Sequence, residues 1–138
     1  MPIDIATLLA RLLLATVFLP NGFLALSDIG GTSAYFEGLG LPAPTPLAWA
    51  TGLFEVVAGL CIVAGFQTRV AAIMLAAFCV VAGVLGHAGQ GSDDPALAFL
   101  HMQSLLKDIG LAGGFLALSA AGPGRFSLDN ARRASGPG

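Results

Sequence analysis

Four long apolar stretches dominate this chain, at about residues 5–26, 47–66, 70–86 and 100–121. Each approaches the roughly 20 residues that an α-helix needs to cross the hydrocarbon layer of a bilayer. None shows the sustained alternation of a membrane β-strand. The pattern predicts an all-α integral membrane protein, a bundle of four spanning helices occupying residues 1–122. The first stretch contains Arg11 and Pro20-Asn21-Gly22, yet it does not read as a cleaved signal. Its first charge is Asp4, and Pro20, Asn21 and Phe23 make a poor small-residue cleavage site, so it is expected to remain as the first helix.

The connections differ in character. Residues 30–46 mix apolar and polar positions, and Tyr35, Phe36 and Trp49 are residue types that settle at headgroup level. A short interfacial segment between the first and second spans fits this stretch. Gln67-Thr68-Arg69 is a tight turn, which makes the second and third helices antiparallel neighbours. Ala88 to Pro95 is a polar loop carrying Asp93 and Asp94, and residues 123–138 form a basic, Gly/Ser-rich tail expected to be partly disordered.

Composition supports the membrane reading. Hydrophobic residues make up 56% and charged residues 10% of the 138 positions, against about 25% charged in soluble domains. Such a chain cannot cover its own surface in water, so the expected partner is the lipid bilayer. A net charge of −2 provides no basic field for nucleic acid. Arg69, Arg125, Arg132 and Arg133 fall on one side of the four spans, while Asp28, Glu37, Asp93 and Asp94 fall on the other. The positive-inside rule then places both termini in the cytoplasm, and the expected location is a bacterial plasma (inner) membrane.

Ionisable residues inside the membrane normally face the bundle interior and have a partner. Here these are Arg11, Glu55, Lys107 and Asp108, with Asn21 and His87 near the outer ends of their helices. Helix rise puts Glu55 about 13 Å below the outer end of its span, near the midplane, and Arg11 about 9 Å from the inner end. An Arg11–Glu55 ion pair is expected, with Lys107 approaching Glu55 from outside and Asp108 meeting Asn21 or His87. Lys107 and Asp108 point about 100° apart and cannot both face one partner. These contacts either fix helix register or line a polar pocket in the outer half of the bundle.

No metal site is assigned. His87, His101, Asp93 and Asp94 are weak candidates because they lack compact ligand spacing. Cys61 and Cys79 lie at depths of about 8 and 14 Å from the Gln67–Arg69 turn, an offset that disfavours a disulfide. Gly110-Leu-Ala-Gly-Gly114 is a G-x-x-x-G that could serve packing within the bundle or a homodimer.

Several stretches, in order along the chain, are similar to the DoxX family of small four-span membrane proteins. These are Leu9-Ala-Arg-Leu-Leu-Leu14, Phe18-Leu-Pro-Asn-Gly22, Tyr35-Phe-Glu-Gly-Leu-Gly-Leu-Pro42 and Gly52-Leu-Phe-Glu-Val-Val-Ala-Gly59. Gly65-Phe-Gln-Thr-Arg69, Lys107-Asp-Ile-Gly-Leu-Ala-Gly-Gly114 and Gly122-Pro-Gly-Arg-Phe-Ser-Leu-Asp129 continue the series. The resemblance implies a four-helix membrane bundle and a loose link to redox metabolism, since some relatives are subunits of a thiosulfate:quinone oxidoreductase. Family patterns often carry a His after the Pro of the first helix and an Asn after the Lys of the fourth, where this chain has Asn21 and Asp108.

Two functions follow as expectations. One is a redox-associated subunit that binds a quinone or another small apolar ligand, with Arg11, Asn21, Glu55, His87, Lys107 and Asp108 as candidate contacts. The sequence shows no flavin fingerprint, cysteine cluster or depth-matched haem histidines, so electrons would come from a soluble or membrane oxidoreductase partner. The other is a membrane anchor or assembly protein whose buried ion pairs are structural. A carrier is disfavoured by the absence of inverted repeats.

Overall fold

A computed structural model describes residues 1–135. Its helices, in chain order, are α1 (Ile3–Ser27), α2 (Ile29–Gly38), α3 (Pro44–Ala64), α4 (Thr68–His87), α5 (Pro95–Ala121) and α6 (Leu128–Ala134). No strand occurs among the described residues. Helices α1, α3, α4 and α5 are each long and apolar enough to cross a membrane. The four-span bundle read from the apolar pattern is therefore the fold, and α2 occupies the segment expected between the first two spans.

Local chemistry sets the helix ends. The Asp28 carboxylate accepts a hydrogen bond from the Gly31 N–H at 2.9 Å and starts α2. Asp94 does the same for α5, accepting from the Ala96 N–H at 2.8 Å, with Pro95 in the first turn. Both are N-caps that satisfy otherwise unpaired helix donors. This cap extends α5 five residues further toward its N-terminus than the apolar run indicates. Helix α3 stops at Ala64, two residues short of the apolar run. Gly65 has φ 67° there, and the Phe66 N–H turns back to the Cys61 carbonyl at 2.9 Å. Glycine enters this left-handed conformation without the steric cost of a Cβ. Pro20 sits inside α1, which continues through it.

The closest packing joins α1 to α3 and α4 to α5, and the two pairs meet through α3–α4 and α1–α5 contacts. Glycine makes the α1–α3 approach possible. A Cβ on Gly22 would lie 2.9 Å from both the Gly52 carbonyl oxygen and the Val56 nitrogen, and one on Gly59 would lie 2.9 Å from Leu19 Cδ2. Lipid tails are as apolar as leucine, so close backbone approach and dispersion replace the hydrophobic effect between helices. At the centre, Phe18 of α1 packs edge-on against Phe115 of α5 (5.3 Å between centroids) and Phe78 of α4 (6.3 Å), and Phe54 of α3 meets Phe78 at 5.1 Å. One aromatic cluster thus draws on all four spans.

The segment after α5 departs from expectation. Residues 123–135 fold back onto the end of the bundle that holds the N-terminus and finish in α6, where a partly disordered tail was expected. The remaining residues, 136–138, lie outside the described residues. The Arg125 N–H donates to Asp4 at 2.9 Å, and the Asp129 N–H donates to the Gly65 carbonyl at 2.9 Å. The first residues and residues 123–135 therefore meet at one end of the bundle, here called the terminal end.

Candidate functional site

The candidate site is a cavity of about 450 Å³ in the half of the bundle away from the termini. Its apolar walls include Phe18 and Phe78 of the central cluster, with Tyr35 and Phe36 contributed by α2. Asn21, Thr51, Glu55, His87 and Asp108 supply its polar lining. Helix α2 is held over this region by the Tyr35 hydroxyl, which donates to the Gly86 carbonyl at 3.4 Å, and by a 2.7 Å hydrogen bond between Ser33 and Thr45.

Asp108 is brought to the cavity by Gly83. A Cβ at Gly83 would lie 2.9 Å from Asp108 Cβ, so the missing side chain on α4 leaves room for the carboxylate of α5. Asp108 Oδ2 lies 3.8 Å from His87 Nε2, and His87 Nδ1 lies 3.0 Å from His101 Nδ1. One tautomer set satisfies both contacts: His101 donates from Nδ1 to His87 Nδ1, which leaves the His87 Nε2–H directed at Asp108. Glu55 has no salt-bridge partner among the described residues. An ionisable side chain placed this way in a membrane protein normally marks a functional surface.

Two of the six candidate residues stand elsewhere. Arg11 does not pair with Glu55. Its guanidinium is buried and donates to four backbone carbonyls: Ile62 (2.8 Å), Val63 (2.5 Å), Pro123 (2.9 Å) and Phe126 (2.7 Å). Ile62 and Val63 belong to the last turn of α3, where carbonyls lack helical partners and the helix dipole is negative. The planar fork of arginine suits several fixed acceptors at once. Glu55, seven residues earlier on α3, is about 10 Å further along the helix axis. Lys107 is exposed and makes no contact with Glu55, while its neighbour Asp108 faces inward. Asn21, Glu55, His87 and Asp108 do converge.

The weak metal candidates divide as well. His87 and His101 meet, but Asp94 is engaged as the α5 cap and Asp93 is exposed. No group of three or more His, Cys, Asp or Glu side chains suited to a metal ion occurs among the described residues. Cys61 and Cys79 are both free thiols.

Two features of the site and its supports had little sequence signal. The first is the participation of Tyr35, Phe36 and Thr51 in the cavity wall. The second is Asp129, whose carboxylate accepts from the Gln67 N–H (2.8 Å), the Thr68 N–H (2.9 Å) and the Thr68 hydroxyl (3.0 Å), capping α4 from across the chain. Burial pushes the Asp129 carboxyl up. The bonds from Thr68 and Gln67, together with the charge of Arg133, outweigh burial and hold it below the usual carboxylate range.

Four apolar spans around an aromatic centre, with a polar-lined cavity at one end, define a small multi-pass membrane protein. The chain belongs to the DoxX family, whose profile matches residues 6–88. It is 33% identical over 127 residues to Inner membrane protein YqjF of Escherichia coli K12, covering 91% of each chain. It is 34% identical over 122 residues to Inner membrane protein YphA of the same organism, covering 88% of this chain and 86% of the relative. It is also 35% identical over 126 residues to Uncharacterized membrane protein Rv3486 of Mycobacterium tuberculosis H37Rv, covering 86% of this chain and 76% of the relative. No solved structure matches the chain.

Proposed function

We propose that this DoxX-family protein binds a small, largely apolar ligand in the cavity away from the termini, and that it acts as a redox-associated subunit with a quinone as occupant. The single observation behind this reading is the cavity of about 450 Å³ in which Asn21, Glu55, His87 and Asp108 converge against aromatic walls. Ligand sites of this size are commonly apolar with a few convergent polar groups. The Asn21 amide and the His87 ring N–H are suited to a quinone carbonyl, and a protonated Glu55 or Asp108 carboxyl would donate as well. A bound quinone would supply two-electron, two-proton acceptor chemistry, with electrons delivered by an oxidoreductase partner. The reading puts the protein in the bacterial inner membrane, which the relatives' names support, with both termini cytoplasmic, which the gathering of Arg69, Arg125, Arg132 and Arg133 near the termini supports.

The test is extraction of the purified protein followed by quinone analysis, and titration with a short-chain quinone. Wild type should retain and bind quinone, Glu55→Gln and Asn21→Leu should weaken binding, and Lys107→Gln should not. Absence of quinone and of saturable binding in wild type would sink the reading.

A second reading is an anchor or assembly protein. It is favoured by the His87–Asp108 contact, which ties α4 to α5 as a purely structural pair would. Gly110 and Gly113 have nothing within 4 Å of a hypothetical Cβ, so a homodimer would use that face. Recovery of a soluble oxidoreductase with the wild type and equally with Glu55→Gln supports this second reading.

A further inference from the structure

A second concavity lies at the terminal end, independent of the cavity above. It encloses about 410 Å³ and is lined by Arg69, Arg132 and Arg133, with Asp129 as its one carboxylate. Three arginines against one aspartate leave a net charge of +2 on the lining. Asp129 is held in place by Gln67 and Thr68 and feels the charge of Arg133, so a single carboxylate stands against three arginines. Arg69 directs one N–H to the Ser119 carbonyl at 2.9 Å, which orients the rest of its guanidinium beside the end of α5. The Arg132 guanidinium rests over the Phe66 ring, 5.2 Å from its centroid. Neither Arg132 nor Arg133 has a salt-bridge partner among the described residues.

The surroundings define what such a charge would meet. The concavity sits where α3 ends and α4 begins, which is the level of the membrane surface. A neighbouring groove of about 330 Å³ shares Arg132 with it and is otherwise lined mainly by Phe66, Leu128 and Ala131. Leu128 and Phe126 are half-exposed at this level, as is Val70 next to Arg69. A free anion would use only the arginines. A molecule with a charged head and an adjoining apolar part would use both concavities.

We propose that the Arg69–Arg132–Arg133 pocket binds the phosphate of an anionic phospholipid headgroup. The glycerol and first acyl carbons lie along the Phe66–Leu128 groove. Basic pockets beside spanning helices are suited to such headgroups because the low dielectric of the bilayer edge strengthens each charge pair. Bound in this way, the lipid braces α6 against the α3–α4 turn.

The full-length protein in detergent tests this, with phosphatidylglycerol and phosphatidylcholine added in turn and read by native mass spectrometry and by thermal unfolding. Phosphatidylglycerol should be retained at least about tenfold better than phosphatidylcholine and should raise Tm. Arg132→Gln and Arg133→Gln should each weaken that retention by roughly fivefold. Arg125→Gln, which removes an equal charge outside the pocket, should leave it unchanged. No preference in wild type, or an equal loss in Arg125→Gln, overturns the proposal. Glycerol phosphate or inorganic phosphate displacing the lipid at comparable concentration would overturn it in favour of a soluble-phosphate site. Both arginines are on the surface, so their substitution leaves the fold intact, and absence of a phosphatidylglycerol preference in wild type overturns the proposal whatever the variants do.

Discussion

At the terminal end of the bundle, polar groups answer one another. Arg11 joins α1 to the last turn of α3 and to the chain after α5, Asp129 caps α4, and Asp4 receives the Arg125 N–H. At the opposite end, Asn21, Glu55, His87 and Asp108 surround a cavity, and the one ion-pair contact among the described residues is His87 with Asp108. The same four helices build both ends. The difference lies in the partners: free carbonyls and amides at helix termini absorb the polar side chains at one end, and at the other the polar side chains line a cavity. A charged residue inside a membrane protein is therefore not one kind of signal. Arg11 and Glu55 read alike in the sequence, yet the first holds the fold together and the second lines a cavity.

The comparison breaks first at Arg11. Replacing it with Leu leaves four carbonyl acceptors without their donor, each costly to strand in a buried site. The expected loss is about 3–5 kcal/mol, comparable to removing one partner of a buried charge network. Chemical unfolding in detergent measures it, and a loss no larger than that of Glu55→Gln would erase the distinction between the two ends.

Gly65→Ala comes next. It places a Cβ at φ 67°, against the Ser127 side chain and 2.8 Å from the Arg11 Cζ, so backbone strain and displacement of Ser127 and the arginine add. A loss of about 2–3 kcal/mol is expected from the two together. Gly40→Ala is the comparison, since Gly40 also has positive φ, at 71°, but a Cβ there meets nothing within 4 Å. It should cost about 1 kcal/mol. Equal losses at both positions would mean that neither Ser127 nor the arginine is crowded.

Asp129→Asn sharpens the picture through pH. The folded-state carboxyl titrates below its unfolded value of about 3.9. The stability it contributes is complete above the unfolded value and disappears as pH falls through the folded one. The Asn variant should lose about 1 kcal/mol near neutral pH, as for loss of a charged helix cap. Its acid limb below about pH 4 should be correspondingly flatter. An unchanged acid limb would show that Asp129 does not cap α4.

The smallest effect on stability belongs to the cavity. Glu55→Gln breaks no ion pair among the described residues and should alter unfolding by no more than about 0.5 kcal/mol. Its effect should appear in ligand binding instead. A large loss of stability would move Glu55 into the structural class.

Much of this was legible in the chain. The length and purity of the apolar runs gave the spans, and Gly65 and Asp94 are ordinary helix-end residues whose neighbours shifted two boundaries by a few positions. That Lys107 and Asp108 face different ways follows from helical rotation of about 100° per residue, but which of them faces inward does not. The partner of Arg11 was not legible, because backbone carbonyls carry no sequence identity and half of those it uses lie more than 110 residues away. The cap from Asp129 to Thr68 was hidden for the same reason, reaching across 61 residues.

The sequence by itself determined that this chain lies in a bilayer as four helices, because transfer of apolar surface and internal hydrogen bonding depend only on local composition and run length. Which polar residues became structure and which were left facing a cavity was decided only by the tertiary fold. That choice depends on where distant carbonyls and amides come to rest, and a membrane interior offers no water to stand in for them.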